Sequence, residues 1–134
     1  AFMKITTGID IIEVARIQKA IQENGEVFLH KIYTEEEIDY CNKTGLSKYQ
    51  HFAARFAVKE AVFKAISAYI KGREDALWTN IEVRNNESGK PVLNVDKLVR
   101  NMGETVDNFK LVDIDISISH IKEYAVASAV AVFE

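Results

Sequence analysis

The amino-acid sequence predicts a single α+β domain in which an antiparallel sheet packs against a long central helix. The chain has 134 residues, the size of one domain, and 48% of them are apolar, which is enough to bury a core. Helical periodicity is concentrated in its first half, and strand-like alternation in its second half. Because a doubly wound parallel sheet would alternate the two regularly, we expect an α+β fold over residues 1–134.

A change of period predicts the first strand and the first helix. Residues 4–12 combine β-branched and small side chains and end at polar residues, as strands do. From residue 13 the apolar residues recur at helical spacing, which predicts a helix over 13–23. The Asn24-Gly25 pair is typical of a helix end.

Two further helices are predicted before the middle of the chain. A capping box at Thr34, in which the hydroxyl and the Glu37 carboxylate satisfy exposed backbone donors, predicts a helix that ends near Gly45. Residues 49–70 contain neither glycine nor proline, are rich in alanine and large apolar side chains, and precede Gly72. They predict the longest helix, which we place in the core.

The second half of the chain is expected to form strands and one short helix. The predicted strands cover residues 79–84, 91–95, 110–119 and 124–133. The first two form a hairpin around a turn at 85–90, and the last two form an antiparallel pair joined by a polar corner at 120–123. Asp96 caps a helix that runs to about Val106.

Composition excludes several classes of protein. A net charge of −3 disfavours general nucleic-acid binding, and no apolar run approaches the roughly 20 residues of a membrane span, so we expect neither nucleic acid nor membrane as a partner. The N-terminal segment lacks a secretory signal, and the lone Cys41 cannot form an internal disulfide. Both predict a cytoplasmic protein. The two residues before Met3 are expected to derive from cloning.

Two acidic residues are candidates for binding a metal ion. Asp10 lies among isoleucines, where an isolated carboxylate is costly unless it is paired or bound to a cation; alternatively, it caps the next helix or faces water. Glu60 lies one helical turn before Lys64, which on a solvated face is an ordinary stabilising pair. The helical stripe around them consists of Phe52, Phe56, Glu60, Phe63 and Lys64. Solvated faces seldom have this composition, although an aromatic stripe is more often core.

Basic residues near these acids suit a phosphate ligand. Arg55, Lys59 and Lys64 lie on the same predicted helix, and two carboxylates suffice for Mg²⁺, which completes its octahedron with water and phosphate oxygens. Ser119 and His120, at a strand end, can reach an anionic ligand; alternatively, His120 is a hydrogen-bonded turn residue. No histidine array typical of a transition-metal site and no Gly-x-Ser-x-Gly turn occurs.

Five short motifs stand in a fixed order along the chain. They are Gly8-Ile9-Asp10-Ile11-Ile12-Glu13 with Arg16-Ile17, Thr34-x-x-Glu37, Arg55-Phe56-Ala57-Val58-Lys59-Glu60-Ala61, Gly89-Lys90-Pro91 and Ser117-Ile118-Ser119-His120. Each is weak alone, but together the chain resembles the holo-acyl-carrier-protein synthase family over almost its whole length. The resemblance implies the 4'-phosphopantetheinyl transferase-like fold. It also implies transfer of 4'-phosphopantetheine from coenzyme A to a serine of apo acyl carrier protein, which releases adenosine 3',5'-bisphosphate.

The resemblance further implies roles for individual residues. Asp10 and Glu60 match the family's magnesium carboxylates, and Lys64 matches the lysine at the phosphates of the reacting centre. The residues that resemble coenzyme A contacts are Arg55, Lys59, Lys64, Gly89, Pro91, Ser119 and His120. The base that removes the serine proton stays open between Glu60 and a metal-bound water.

The family resemblance also implies partners. Its small members are trimers with coenzyme A between subunits, so we expect a homotrimer in which His120 approaches a neighbour's metal site. Arg16 matches a basic residue that meets the acidic carrier, whereas Glu23 and Glu26 depart from the basic pattern of this helix. The sequence leaves open whether the carrier serves fatty acid biosynthesis or secondary metabolism. The alternative function is a non-catalytic module that binds coenzyme A or a nucleotide, which would not need both acids.

Overall fold

The computed structural model describes residues 2–72 and 78–134, so Ala1, expected to derive from cloning, lies outside the described residues. Its elements are β1 (Lys4–Glu13), α1 (Val14–Ile32), α2 (Glu35–Asn42), α3 (Lys48–Ile66), β2 (Val83–Asn85), β3 (Pro91–Leu93), α4 (Val95–Asn101), β4 (Leu111–His120) and β5 (Tyr124–Phe133). Within these ranges, no helix is both long enough and apolar enough to cross a bilayer. The predicted α+β class is confirmed.

The main sheet contains three strands in the order β1, β5, β4, and both pairings are antiparallel. The antiparallel pairing predicted for the last two strands is therefore correct. β2 and β3 form a separate antiparallel hairpin, as the sequence also predicted. Because β5 is central, β1 from the start of the chain lies beside it, and Asp10 stands opposite Ala127.

Helix α3 packs closely across one face of this sheet because both surfaces are built from small residues. The buried alanines at this interface are Ala57, Ala61 and Ala65 on α3, and Ala125, Ala127, Ala129 and Ala131 on β5. A Cβ atom at Gly8 would overlap the carbonyl oxygen of Ala61, so the β1 backbone lies directly against the helix. Side chains alternate along a strand, so Asp10 lies on the same side of β1 as Gly8, next to α3.

The opposite face of the sheet leaves large apolar side chains in contact with solvent. We call Ile5, Ile9, Ile11 and Val130 the outer sheet face; their exposed fractions are 62%, 64%, 66% and 45%. On an isolated monomer such a row is unusual, because exposed apolar patches commonly mark interfaces.

Helix α1 extends further than the sequence predicted. The expected end at Asn24-Gly25 is a kink, where Gly25 adopts φ 50° and ψ −128°, and helical backbone then resumes up to Ile32. Leu29 and Ile32 are buried in the resumed segment, and Phe28 packs against the core. Burial of these side chains stabilises a short segment that would not form a helix in isolation.

Several other element boundaries differ from the sequence-based expectation. Helix α3 ends at Ile66 and continues to residue 69 only as a 3₁₀ turn. The strand expected over 79–84 is shortened to Val83–Asn85, since residues 78–80 form a turn. Asn94, not Asp96, caps α4 by accepting a hydrogen bond from the Lys97 N–H, and this helix ends at residue 101 because Gly103 adopts φ 82° shortly afterwards.

Candidate functional site

Three elements meet at a cleft of about 430 Å³ that contains both predicted metal ligands. β1 contributes Asp10, α1 contributes Arg16 and Phe28, and α3 contributes Phe56 and Glu60. We call this the carboxylate cleft. The close packing of Gly8 on α3 explains why a strand residue and a mid-helix residue, 50 positions apart in sequence, line the same space.

The two acids of the cleft are incompletely compensated by nearby cations. Burial raises the pKa of Asp10, although the positive charges of Lys64 and Arg16 act in the opposite direction. Burial also raises the pKa of Glu60, and the negative charge of Asp10 raises it further. A pair of carboxylates that repel each other in a partly dehydrated cleft favours binding of a cation.

Lys64 contacts the same acid from α3. Its Nζ donates a hydrogen bond to the Ile9 carbonyl at 2.9 Å and lies 3.4 Å from Asp10 Oδ1. The Lys64 side chain is 52% exposed, whereas that of Asp10 is only 17% exposed. The ammonium can therefore turn towards a ligand that enters from solvent, while the carboxylate stays fixed beneath it.

The chemistry of the donor set suits a hard divalent cation. Among residues 2–72 and 78–134, no group of three or more histidine, cysteine, aspartate or glutamate side chains is arranged to hold a metal ion. Asp10 and Glu60 would thus be the protein ligands of a cation in the cleft. Mg²⁺ commonly binds through one or two carboxylates and takes its remaining oxygens from water and phosphate, so the two residues fit this ion.

A second set of predicted residues surrounds Arg55. This side chain is only 2% exposed; its Nη2 donates to Asn85 Oδ1 at 2.8 Å, and its guanidinium lies 4.2 Å from the Tyr40 ring centroid. Asn85 Nδ2 in turn donates to the Gly89 carbonyl at 3.1 Å, and Pro91 pairs with Asn85 across the hairpin. Arg55 Nε has no hydrogen-bond partner in the described part of the chain, so a buried donor remains free for an acceptor.

His120 continues this set towards the end of β4, beside the exposed Ser119. Its Nδ1 lies 2.9 Å from Gln50 Oε1, and its ring is 5.1 Å from that of His51. The His51 ring lies 5.7 Å from Tyr40, and burial together with the charge of His120 lowers the pKa of His51. We call Arg55, His51 and His120, together with the Tyr40 ring that contacts the first two, the basic row.

The basic row and the carboxylate cleft lie on different sides of α3. Arg55 and Lys64 are nine positions apart, which at about 100° per residue places them roughly half a turn from each other around the helix. The structure therefore brings Asp10, Glu60 and Lys64 together within one chain. It places the residues expected to bind coenzyme A around a second region.

Lys59 is placed differently from the sequence-based expectation. Its side chain is 0% exposed, and its Nζ donates to Glu37 Oε1 at 2.8 Å, to the Trp78 carbonyl at 2.8 Å and to the Ile81 carbonyl at 2.7 Å. All three N–H groups of the ammonium are used within the core. This arrangement differs from the expectation that Lys59 contacts coenzyme A, because it leaves no N–H of the ammonium for a phosphate.

Sequence reasoning also missed residues that shape the site. Phe28 lines the carboxylate cleft from the part of α1 that lies beyond the predicted helix end. Glu37 was recognised only as part of a capping box, yet its other oxygen accepts a hydrogen bond from Val83 N at 3.0 Å. The capping motif indicated that Glu37 would be held in place, but gave no sign of its partner on α3.

Comparison with known proteins relates the chain to one family. The profile described as "4'-phosphopantetheinyl transferase superfamily" matches residues 6–129. A holo-[acyl-carrier-protein] synthase of Ruminiclostridium cellulolyticum is 41% identical over 96% of this chain and 92% of its own length. A holo-[acyl-carrier-protein] synthase of Thermodesulfovibrio yellowstonii is 42% identical over 92% of this chain and 94% of its own.

A solved structure is similar over nearly the full length. It is the holo-(acyl-carrier-protein) synthase of Bacillus anthracis in complex with coenzyme A (3',5'-ADP), with a TM-score of 0.70 and 35% identity. The match covers 97% of each chain.

Proposed function

The chain belongs to the 4'-phosphopantetheinyl transferase superfamily, and we infer from this that it transfers 4'-phosphopantetheine from coenzyme A to a serine of apo acyl carrier protein. The observation that carries the inference to the site is the convergence of Asp10 and Glu60 at one cleft, with the Lys64 ammonium 3.4 Å from Asp10 Oδ1. The similar synthase structure contains coenzyme A, which supports the same donor here.

In the reaction, a serine hydroxyl attacks one phosphorus atom of a diphosphate and displaces the other phosphate. The serine oxygen of the carrier forms a bond to the phosphorus that bears pantetheine, the bond from that phosphorus to the adenosine 5'-phosphate oxygen breaks, and adenosine 3',5'-bisphosphate leaves. Lys64 offsets charge on the diphosphate. Glu60 lies in the same cleft and is a candidate to accept the serine proton.

We propose Asp10 and Glu60 as the ligands of a magnesium ion. When bound, Mg²⁺ supplies charge neutralisation at the diphosphate bridge. The paired acids and their raised pKa values support this assignment. Arg16, exposed at the rim of the same cleft, is proposed to contact the acidic carrier protein.

The basic row is proposed to bind the phosphorylated adenosine part of coenzyme A. The unpartnered Nε of Arg55 is a donor that a phosphate oxygen can satisfy, and Ser119, His120, Gly89 and Pro91 lie along the same region. This row lies on the opposite side of α3 from the carboxylate cleft, about half a turn around the helix axis. One chain alone therefore does not present both regions to one donor molecule. A neighbouring subunit would complete the site.

We therefore propose a homotrimer whose subunits meet through the outer sheet face. Its four exposed apolar side chains form a surface typical of an interface, and a ring of three copies closes without leaving a free patch. The buried, unpaired Cys41 is consistent with a reducing compartment, so we place the activity in the cytoplasm.

The activity is tested by mass spectrometry of apo acyl carrier protein incubated with the enzyme, coenzyme A and Mg²⁺. We expect a mass gain of one phosphopantetheinyl group, loss of this gain with a chelator, and recovery when Mg²⁺ is restored. An unchanged carrier in the complete mixture contradicts the activity. Activity that persists with the chelator contradicts the magnesium assignment alone.

The oligomer is tested with a substitution at the centre of the outer sheet face. Val130→Lys places a cation opposite Asp115 on β4, so the fold is retained while the apolar surface is interrupted. Light scattering should show the wild type at three times 15.2 kDa and this variant at a smaller mass. Val99→Lys, at a valine that is 44% exposed on α4, is the matched control and should stay trimeric. A monomeric wild type contradicts the proposal.

A further inference from the structure

The buried ammonium of Lys59 connects helix α3 to the segment that leads into β2. Two of its three hydrogen bonds are to backbone carbonyls of that segment, at Trp78 and Ile81. The third is to Glu37, whose other oxygen accepts the Val83 N–H at the start of β2. Lys59 and Glu37 thus fix residues 78–83 against the helix at several points.

The side chain of Trp78 lies against the wall of the carboxylate cleft. Its ring is stacked on Phe56, with centroids 5.6 Å apart and planes 17° apart. Phe56 lines the cleft and precedes Glu60 by one helical turn, so both residues project from the same side of α3. The tryptophan therefore supports Phe56 from the far side of the cleft.

We propose that Lys59 is a positioning residue for the transfer reaction, acting through Trp78. By binding the Trp78 carbonyl it holds the indole against Phe56, and the stacked pair fixes the wall beside Glu60. The inference rests on the proposed function, because it holds that Lys59 maintains the shape of the cleft where the transfer is proposed to occur. It also gives a physical reason for a lysine at this point: one ammonium can bind two backbone carbonyls and a carboxylate together.

The fluorescence of Trp78 tests the first step without any assay of activity. Trp78 is the only tryptophan of the chain, so emission excited selectively from tryptophan reports on this ring alone. Loss of the Lys59 ammonium in Lys59→Met should release the segment, expose the indole to water and shift its emission to longer wavelength while the chain stays folded by circular dichroism. A folded Lys59→Met variant with unchanged emission overturns the proposal, whether or not the wild type transfers phosphopantetheine.

Substitutions of Trp78 itself test the second step and leave the buried ion pair intact. Trp78→Ala removes the support behind Phe56, and we expect kcat for carrier modification to fall between about 10-fold and 100-fold, because small displacements of reacting groups have effects of this size. The KM for coenzyme A should change by less than about threefold, since the basic row is untouched. Trp78→Phe, which can still stack, should restore most of the lost activity.

The combination of the two substitutions identifies the route of the effect. If Lys59 acts through Trp78, Lys59→Met/Trp78→Ala should be no slower than the slower single variant. Fully additive losses, or a Trp78→Ala variant with wild-type kcat, overturn the proposal. Where Lys59→Met does not fold, the Trp78→Ala and Trp78→Phe pair decides the second step, and wild-type kcat in Trp78→Ala still overturns the proposal. An inactive wild type refutes the proposed function instead, and the fluorescence result still stands.

Discussion

Two charged clusters project from consecutive residues of α3 and have opposite characters. Lys59 and Glu37 form an ion pair that is 0% exposed, in which every N–H of the ammonium has an acceptor. Glu60, the next residue, lines an open cleft with Asp10, and the half-exposed Lys64 contacts Asp10 beside it. A lysine and a carboxylate therefore have a structural role where they are buried and all their hydrogen bonds are made. They are suited to bind a ligand where the acids outnumber the cations.

Helical geometry accounts for the separation of the two clusters. Successive residues are rotated by about 100°, so Lys59 points between α3, α2 and the segment before β2, whereas Glu60 points towards β1 and α1. The helical rotation also places the Lys59 ammonium in the core and the Lys64 ammonium, five residues later, at the surface. The predictions below test this division from both sides.

Glu60→Gln should produce the largest effect on function. We expect transfer to the carrier to fall at least about 1000-fold, equivalent to about 4 kcal/mol, because the cleft loses a carboxylate that the cation and the serine proton both need. The melting temperature should rise, since the substitution removes repulsion with Asp10. Activity is followed by mass spectrometry and stability by calorimetry. A fall in both activity and melting temperature would mean that Glu60 is structural.

The stability gain of Glu60→Gln should depend on pH. The folded pKa of Glu60 is raised, so the folded chain keeps a proton that the unfolded chain releases, and the wild type loses stability as pH rises through this interval above 4.5. The variant lacks this loss. The difference in melting temperature should therefore be present at pH 7 and disappear below about pH 4. A difference that grows towards acid pH has the wrong sign for this account.

Lys59→Met should have the largest effect on stability. It leaves the Glu37 carboxylate buried without its partner, and we expect the free energy of unfolding to fall by about 3 kcal/mol or more. Lys64→Met is the matched control on the same helix and should cost less than about 1 kcal/mol, because its ammonium is half exposed. Urea unfolding measures both. Equal losses would remove the distinction between the clusters.

Gly8→Ala should affect both regions to an intermediate degree. A Cβ at this position would overlap the Ala61 carbonyl, so β1 must move away from α3 at a cost of about 1 to 3 kcal/mol. The movement also displaces Asp10 relative to Glu60, so transfer should fall with stability. Chemical denaturation and the carrier assay report the two effects. A stable and fully active Gly8→Ala chain would mean that close packing does not set the cleft.

Thr34→Ala should give a small change in stability and none in activity. The Thr34 hydroxyl accepts a hydrogen bond from the Glu37 N–H at 3.2 Å, and loss of such a cap costs about 1 kcal/mol. Transfer activity should be unchanged, because Glu37 keeps its bond to Lys59. Thermal unfolding and steady-state kinetics check both points. A loss of activity much larger than the loss of stability would show that α2 controls the cleft.

The sequence predicted the carboxylate cleft better than the ion pair beside it. Asp10, Glu60 and Lys64 stood out because charged residues among isoleucines and phenylalanines need a partner or a ligand. Lys59 was assigned to a ligand because three basic residues on one helix suit a phosphate, whereas the structure uses all its donors in the core. A signal against that assignment was present: the buried residues of α3 include Phe52, Arg55, Lys59, Val62 and Ile66, at alternating spacings of three and four. Two cations in this stripe concealed the pattern from a search for apolar residues.

The misplaced end of α1 depended on tertiary contacts. The end predicted at Gly25 exists as a kink, but the helix resumes because Leu29 and Ile32 find a core to enter. No local pattern of seven residues could indicate that packing. The antiparallel strands β4 and β5 were predicted well, since their alternation extends over ten residues each.

The central claim is that Asp10 and Glu60 bind one divalent cation together. Manganese, which is paramagnetic and shares the oxygen preference of magnesium, can be titrated into the enzyme with coenzyme A present and followed by electron paramagnetic resonance. We expect one Mn²⁺ per subunit in the wild type, and Asp10→Asn or Glu60→Gln should each abolish binding as completely as the double variant. Undiminished Mn²⁺ binding in either single variant would contradict the shared site.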